Sequence, residues 1–228
     1  IEFDYPKTTY KYTYVKDTPK RGETMKDQEG NYVGEAYAEV GQNEKGLAMT
    51  ATVSTKYNNS AKAADKLVGT GICELSMTSL VLAGAETARE GVELLGAIID
   101  KYGAGECNSI MLCDPNEAWY MEIYTGHQYA AIKLPTDKAA VIPNAFMLGE
   151  IDVNSEDVIV SENLVSLAKQ KGFLKETNGK INLRKTYAEP EKDSNSIRIW
   201  GGKRLLYGNV EADPYKTKYE LLFEPSKK

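Results

Sequence analysis

The run SIMLCDPNEAWYMEIYTGHQYAAIKL, residues 109–134, decides the fold class. It divides into three β-prone stretches, Ser109 to Cys113, Ala118 to Thr125 and Gln128 to Leu134, interrupted by Asp114-Pro115-Asn116 and by Gly126. Those interruptions are turn chemistry: proline presets one backbone angle, while asparagine, aspartate and glycine tolerate the others. Connections this short join antiparallel neighbours, because parallel strands need a long crossover. Pro135-Thr136-Asp137 leads to a fourth short stretch, Ala139 to Ile142. The segment therefore reads as a meander of antiparallel strands.

Upstream, the hydrophobic period changes from two to helical spacing. Leu75 to Ala83 forms an apolar helix that Gly84 breaks. Thr87, three residues before Glu90, makes a capping box, and Ala88, Val92, Leu95, Ile99 and Tyr102 then fall on one face. Gly103 closes that second helix in the αL position. The two helices are expected to stack on a sheet face.

Nearer the start, Thr8 to Val15 (TTYKYTYV) alternates aromatic and polar residues as a half-buried strand does. Glu35 to Val40 and Leu47 to Thr55 read as a hairpin closed by residues 41–46, and Lys56 to Asp65 reads as a polar connection. A third helix spans Glu162 to Lys171, followed by Gly172, and Phe173 to Lys228 reads as polar and irregular. Strands, a helix pair, more antiparallel strands and another helix give an α+β fold. A parallel α/β fold would need helices alternating with single strands.

Composition excludes several functions. The chain has 228 residues, 28 Lys plus Arg against 33 Asp plus Glu, and a net charge of −5 with no basic stripe. Nucleic acid is not expected as a partner, because the electrostatic footprint is missing. No apolar run approaches the roughly 20 residues that span a bilayer, so no membrane segment is expected. Cys73, Cys107 and Cys113 have no CxxC spacing, which argues for reduced thiols in a cytoplasmic protein rather than a disulfide framework or a zinc site. His127 is the only histidine, so multi-histidine metal sites are impossible. A proton acceptor other than histidine, such as a chain amine, a carboxylate or a tyrosine, is expected if the chain is catalytic.

Three segments together carry a resemblance: Gln42 to Ser54 (QNEKGLAMTATVS); Gly126-His127-Gln128 leading to Val141-Ile142-Pro143-Asn144-Ala145-Phe146 and Gly149-Glu150-Ile151-Asp152; and Asn195-Ser196-Ile197-Arg198-Ile199-Trp200. The chain resembles the dipeptidase A family of bacterial cysteine peptidases, which belongs to the N-terminal nucleophile hydrolases and is related to bile salt hydrolase and penicillin V acylase. The resemblance implies a single domain over residues 1–228 with an αββα sandwich of antiparallel sheets flanked by helices. It also implies a catalytic cysteine at the mature N-terminus, whose thiol attacks the peptide carbonyl while its own α-amine takes the proton. An α-amine titrates near 7.7 to 8.0, close to working pH. No metal and no organic cofactor are implied, and a small peptide is the implied substrate. A homo-oligomer is a possible assembly.

The chain departs from that pattern at its start. Residue 1 is Ile, and none of the three cysteines matches the nucleophile position. An interior piece is expected, lacking both the nucleophile segment and the C-terminal part. By resemblance, Asn144 matches an oxyanion-holding asparagine and Arg198 an arginine near the nucleophile. The plain alternatives are a turn asparagine after Pro143 and a surface arginine on a strand. Ser54 and Thr55 close the strand that carries a second oxyanion donor in relatives. His127, expected near Trp119, either lines the substrate pocket or is a structural hydrogen-bonding residue. Two other functions stay open: hydrolysis of amides of the bile salt or penicillin V type on the same fold, and a non-catalytic peptide-binding domain.

Overall fold

The computed structural model describes residues 8–15, 39–53, 56–190, 192–208 and 210–224. Its centre is a seven-stranded antiparallel sheet, in the order β1 (Tyr12–Val15), β2 (Val40–Asn43), β3 (Ala48–Thr52), β4 (Asn108–Cys113), β5 (Ala118–Ile123), β6 (Tyr129–Lys133) and, last in space, β9 (Val158–Val160). β3 and β4 pair directly, with Thr52 opposite Ser109, although three helices intervene between them in sequence. These are α1 (Asn59–Ala64), α2 (Glu74–Gly84) and α3 (Ala88–Tyr102).

The expected meander is present, and its strands bury both faces. Ile110, Leu112, Trp119, Met121, Ile123, Tyr129 and Ala131 pack under α2 and α3, while Tyr120, Tyr124 and Ala130 face the opposite side. This is period-two alternation with an apolar layer on each face. α3 starts with the expected capping box between Thr87 and Glu90. Its end differs from expectation, because Gly103 has φ 79° and ψ 166°, an extended positive-φ conformation essentially reserved for glycine. A Cβ there would lie 2.3 Å from Val68 Cγ2.

The second layer contains α4 (Leu164–Gln170), α5 (Leu183–Tyr187) and α6 (Asp193–Leu206). It also holds two small sheets, one of β8 (Glu150–Ile151), β10 (Glu176–Thr177) and β11 (Lys180–Asn182), the other of β7 (Ala139–Ala140) and β12 (Leu222–Phe223). The fold is therefore α+β around a large antiparallel sheet. Of an αββα sandwich, the described residues show one large sheet with helices on one face and a mixed layer on the other.

Several boundaries differ from the sequence reading. The first strand covers Tyr12–Val15 only, and the first hairpin strand is Val40–Asn43. The remainder of the expected Glu35 to Val40 strand, up to residue 38, lies outside the described residues. The hairpin turn is tighter than residues 41–46, because the buried Asn43 closes it: its Oδ1 accepts from Lys45 N and Leu47 N, both at 3.0 Å. Gly84 is the last helical residue of α2 and not its breaker. The polar Lys56 to Asp65 connection contains α1, started by Asn58, whose side chain caps Ala61 N. Phe173 onward is not irregular. α6 buries Asn195, Ser196, Ile199 and Lys203 on one helical face, with Asp193 in the first turn and Lys203 and Arg204 in the last. That charge order suits the helix dipole. Arg198 is thus on a helix, not a strand; the alternation in Ser196-Ile197-Arg198-Ile199 imitates period two over too short a window.

Candidate active site

Asn144 lies in the irregular segment between β7 and β8, where it meets the end of β3 and α6. Its Nδ2 donates to Val53 O at 2.8 Å, just past the end of β3, and to Thr52 Oγ1. Its Oδ1 accepts from Arg198 Nη1 at 2.7 Å. Its backbone carbonyl accepts from Asn195 Nδ2 at 3.2 Å, and Arg198 Nη2 also donates to Asn195 Oδ1. Asn195 and Arg198 stand three residues apart, so one helical face presents both side chains to the segment. The structure therefore brings together two of the sequence-predicted site residues, Asn144 and Arg198, in direct contact.

Asn144 borders two cavities. One of about 160 Å³ is lined by Thr50, Thr52, Ser109, Met111 and Tyr120 among others. The other, about 40 Å³, has Lys56, Glu189, Lys192 and Asn195 in its wall. Arg198 is exposed and lines neither cavity.

Beneath the segment is a fully buried carboxylate, Glu122 on β5. Its Oε1 accepts from Tyr120 Oη at 2.7 Å, from Leu148 N at 3.1 Å and from Met147 N. Its Oε2 accepts from Tyr124 Oη at 2.7 Å. Burial raises the Glu122 carboxyl above its ordinary range, against the opposing pull of those four donors. Burial first, and Glu122 second, push both tyrosines well above theirs, so they remain donors at neutral pH. Tyr120 Oη also lies 3.2 Å from Ser109 Oγ, which is 3.5 Å from Ala145 O.

The other sequence-predicted residues lie elsewhere. His127 is in the β5–β6 turn, where Asp65 Oδ2 accepts from its backbone N at 2.7 Å and Asp65 Oδ1 lies 3.3 Å from Nδ1. It lines neither cavity beside Asn144. Nor is it near Trp119: Trp119 pairs with Lys133 at the far end of the hairpin, whereas Ile123 pairs with Tyr129 next to the turn. Ser54 and Thr55 lie outside the described residues. None of the three cysteines forms a disulfide among the described residues; Cys73 is half-buried, Cys107 buried and Cys113 exposed. Cys107 precedes β4 and Cys113 ends it, so the strand itself holds them roughly 20 Å apart and no hairpin contact forms. Among the described residues, no three His, Cys, Asp or Glu side chains are grouped to hold a metal ion, and no helix is long and apolar enough to cross a membrane.

Sequence reasoning missed Thr52, Asn195 and Glu122. Asn195 was legible in principle from its spacing to Arg198. Glu122 was marked by being a lone acid in an apolar strand, flanked two residues away on each side by tyrosine.

The model of peptidase family C69 matches residues 1–228. The chain belongs to peptidase family C69. A protein of Streptococcus pyogenes serotype M1 named "Probable dipeptidase B" is 39% identical over 224 residues, covering 97% of this chain and 42% of that protein. A "Probable dipeptidase" of Salmonella dublin is 35% identical over 200 residues, 86% of this chain and 43% of its own length. "Probable dipeptidase B" of Lactococcus lactis subsp. lactis (strain IL1403) is 32% identical, covering all of this chain and 47% of itself. This C69 chain thus spans less than half the length of those relatives.

Proposed function

We propose that this chain is the Asn144- and Arg198-bearing part of a cytoplasmic cysteine peptidase that cleaves dipeptides through an acyl-enzyme, without metal or organic cofactor. The observation that carries the reading is the grip of Arg198 on Asn144. A charged donor on Oδ1 draws electron density from the amide and makes its N–H groups stronger donors.

Both of those N–H groups are occupied, by Val53 O and by Thr52 Oγ1. The Thr52 hydroxyl is the partner that can rotate away, and a substrate carbonyl oxygen then takes its place beside the 160 Å³ cavity. As a thiolate adds to the carbonyl carbon, that oxygen becomes negative and the fixed amide stabilises it by about 3 kcal/mol. Arg198 keeps the amide from turning over and adds positive charge nearby. Collapse of the adduct expels the amine, which takes up the proton that the nucleophile's own α-amine accepted from the thiol, and water then hydrolyses the thioester.

The nucleophile in this reading is none of Cys73, Cys107 and Cys113 and lies outside residues 1–228. Burial pushes the Cys107 thiol up to about 12, which leaves almost no thiolate at neutral pH. Burial, then Glu106, also raises Cys73. Cys113 ends β4 and borders neither cavity beside Asn144.

The test compares residues 1–228 with the longer product of the same gene on a dipeptide and on an N-acyl amide. No turnover is expected from residues 1–228, and the longer product is expected to prefer the dipeptide. In that product, Asn144→Ala should lower kcat about 100-fold. Turnover by residues 1–228 after alkylation of all three cysteines would overturn the nucleophile assignment. Faster cleavage of the N-acyl amide would overturn the substrate class.

A further inference from the structure

The segment 143–149, which carries Asn144, has no regular secondary structure, yet Asn144 must be held within a fraction of an ångström to serve as a fixed donor. Regular elements obtain such rigidity from backbone ladders. Here two carbonyls at the end of the segment, Leu148 O and Gly149 O, accept from Arg184 N at 2.7 Å and Leu183 N at 3.0 Å, while its N–H groups are anchored by a side chain. Glu122 Oε1 takes the backbone N–H groups of Met147 and Leu148, and Ser109, in contact with Tyr120, reaches the Ala145 carbonyl. The carboxylate sits on β5, a central strand of the large sheet, with no exposed surface.

We propose that Glu122 is a positioning residue: its buried carboxylate, steadied by Tyr120 and Tyr124, clamps the backbone of Met147 and Leu148 to the central sheet and thereby fixes where Asn144 presents its amide. The inference rests on the reading of Asn144 as a site residue, but its geometry does not depend on catalysis. The two oxygens of Glu122 divide the labour. Oε1 serves the segment and Tyr120, and among the described residues Oε2 serves Tyr124 alone.

That division makes the proposal testable on the chain itself. In Glu122→Gln the carbonyl oxygen can replace Oε1, while the new amide donates to the Tyr124 hydroxyl, which can accept as well as donate. In Glu122→Leu both anchors vanish while apolar volume is retained. Tyr124→Phe removes only the Oε2 partner.

The readout is the side-chain amide resonance pair of Asn144, assigned with Asn144→Asp, together with the backbone amides of Met147 and Leu148 in nitrogen–proton correlation spectra. Glu122→Leu is expected to shift all of these resonances. Glu122→Gln is expected to keep them near their original positions, and Tyr124→Phe to lower thermal stability without moving them. Unmoved Asn144 resonances in a folded Glu122→Leu chain would overturn the proposal, as would equal movement in Tyr124→Phe. Should the leucine variant not fold, hydrogen exchange in the unsubstituted chain decides. Protection of Met147 and Leu148 comparable to β5 amides is expected, and exchange at the rate of an open loop overturns the clamp. If instead Asn144→Ala leaves turnover intact in the longer product, the reading of Asn144 as a site residue fails while the clamp stands.

Discussion

Replacing Asp65 by alanine tests what the β5–β6 turn and its histidine are for. Asp65 follows α1 directly, and its side chain retains 15% of its exposure. Its Oδ2 accepts from the Thr125 hydroxyl and from the backbone N of His127, both at 2.7 Å, and Gln128 Nε2 lies 3.5 Å away. Hydrogen bonds to a charged acceptor are worth about 1.5–3 kcal/mol each. Thr125 is fully buried, so its donor would be stranded, while water entering beside the partly open Asp65 position recovers some of the loss. The net expectation is a destabilisation of about 3 kcal/mol, or ~6–12 °C in Tm for a domain of this size. Asp65→Asn keeps an oxygen for the two short bonds and should cost about a third as much. His127→Ala keeps the backbone bond and loses only the 3.3 Å contact of a ring whose side chain is 43% exposed, so it should cost under about 0.5 kcal/mol. Urea denaturation followed by the fluorescence of the fully buried Trp119 measures all three. A His127→Ala cost equal to that of Asp65→Ala, or an Asp65→Ala cost below about 1 kcal/mol, would refute the reasoning.

Three further outcomes are expected. Gly103→Ala forces a side chain into φ 79° with its Cβ against Val68, which should destabilise the chain by about 2–4 kcal/mol in a thermal melt without altering secondary structure by circular dichroism. Iodoacetamide at pH 8 should label the exposed Cys113 in the native chain and reach Cys107, whose thiol burial lifts to about 12, only on unfolding; mass spectrometry of the peptides reads the order. The Lys133 ammonium, 2.7 Å from Glu117, lowers the Glu117 carboxyl. The folded chain then binds that proton less readily than the unfolded one, so the pair's contribution is present above the ordinary glutamate pKa of about 4.3 and is lost as pH falls through the lowered value. Glu117→Gln should flatten the acid limb of stability measured between about pH 5 and 3, and an unchanged limb would show that the pair contributes nothing there.

Much of the fold was legible because its signals are local. The strands of residues 109–134 alternate cleanly, and Thr87 with Glu90 is a self-contained cap. The C-terminal quarter was misread because α6 is held by a sparse buried face of Asn195, Ser196, Ile199 and Lys203, polar enough to look like loop. α1 was missed because its six residues are fixed by Asn58, whose side chain also binds Thr186 O at 2.7 Å, from far along the chain. In the site, Asn144 and Arg198 came from resemblance, and their contact could come only from the fold. Glu122 escaped notice because its purpose is written in two backbone N–H groups, which no side-chain pattern encodes.

The amide of Asn144 is bonded across sequence separations of 92 and 91 residues to the end of β3, and of 54 residues to α6. Contacts this distant repay their loop-closure entropy only after the intervening helices and strands have docked. If Asn144 is the donor proposed above, its contacts belong to the non-local part of the fold. A nascent or partly unfolded chain carries the residues but not the arrangement, so on the proposed reading the capacity to polarise a carbonyl belongs to the folded chain alone.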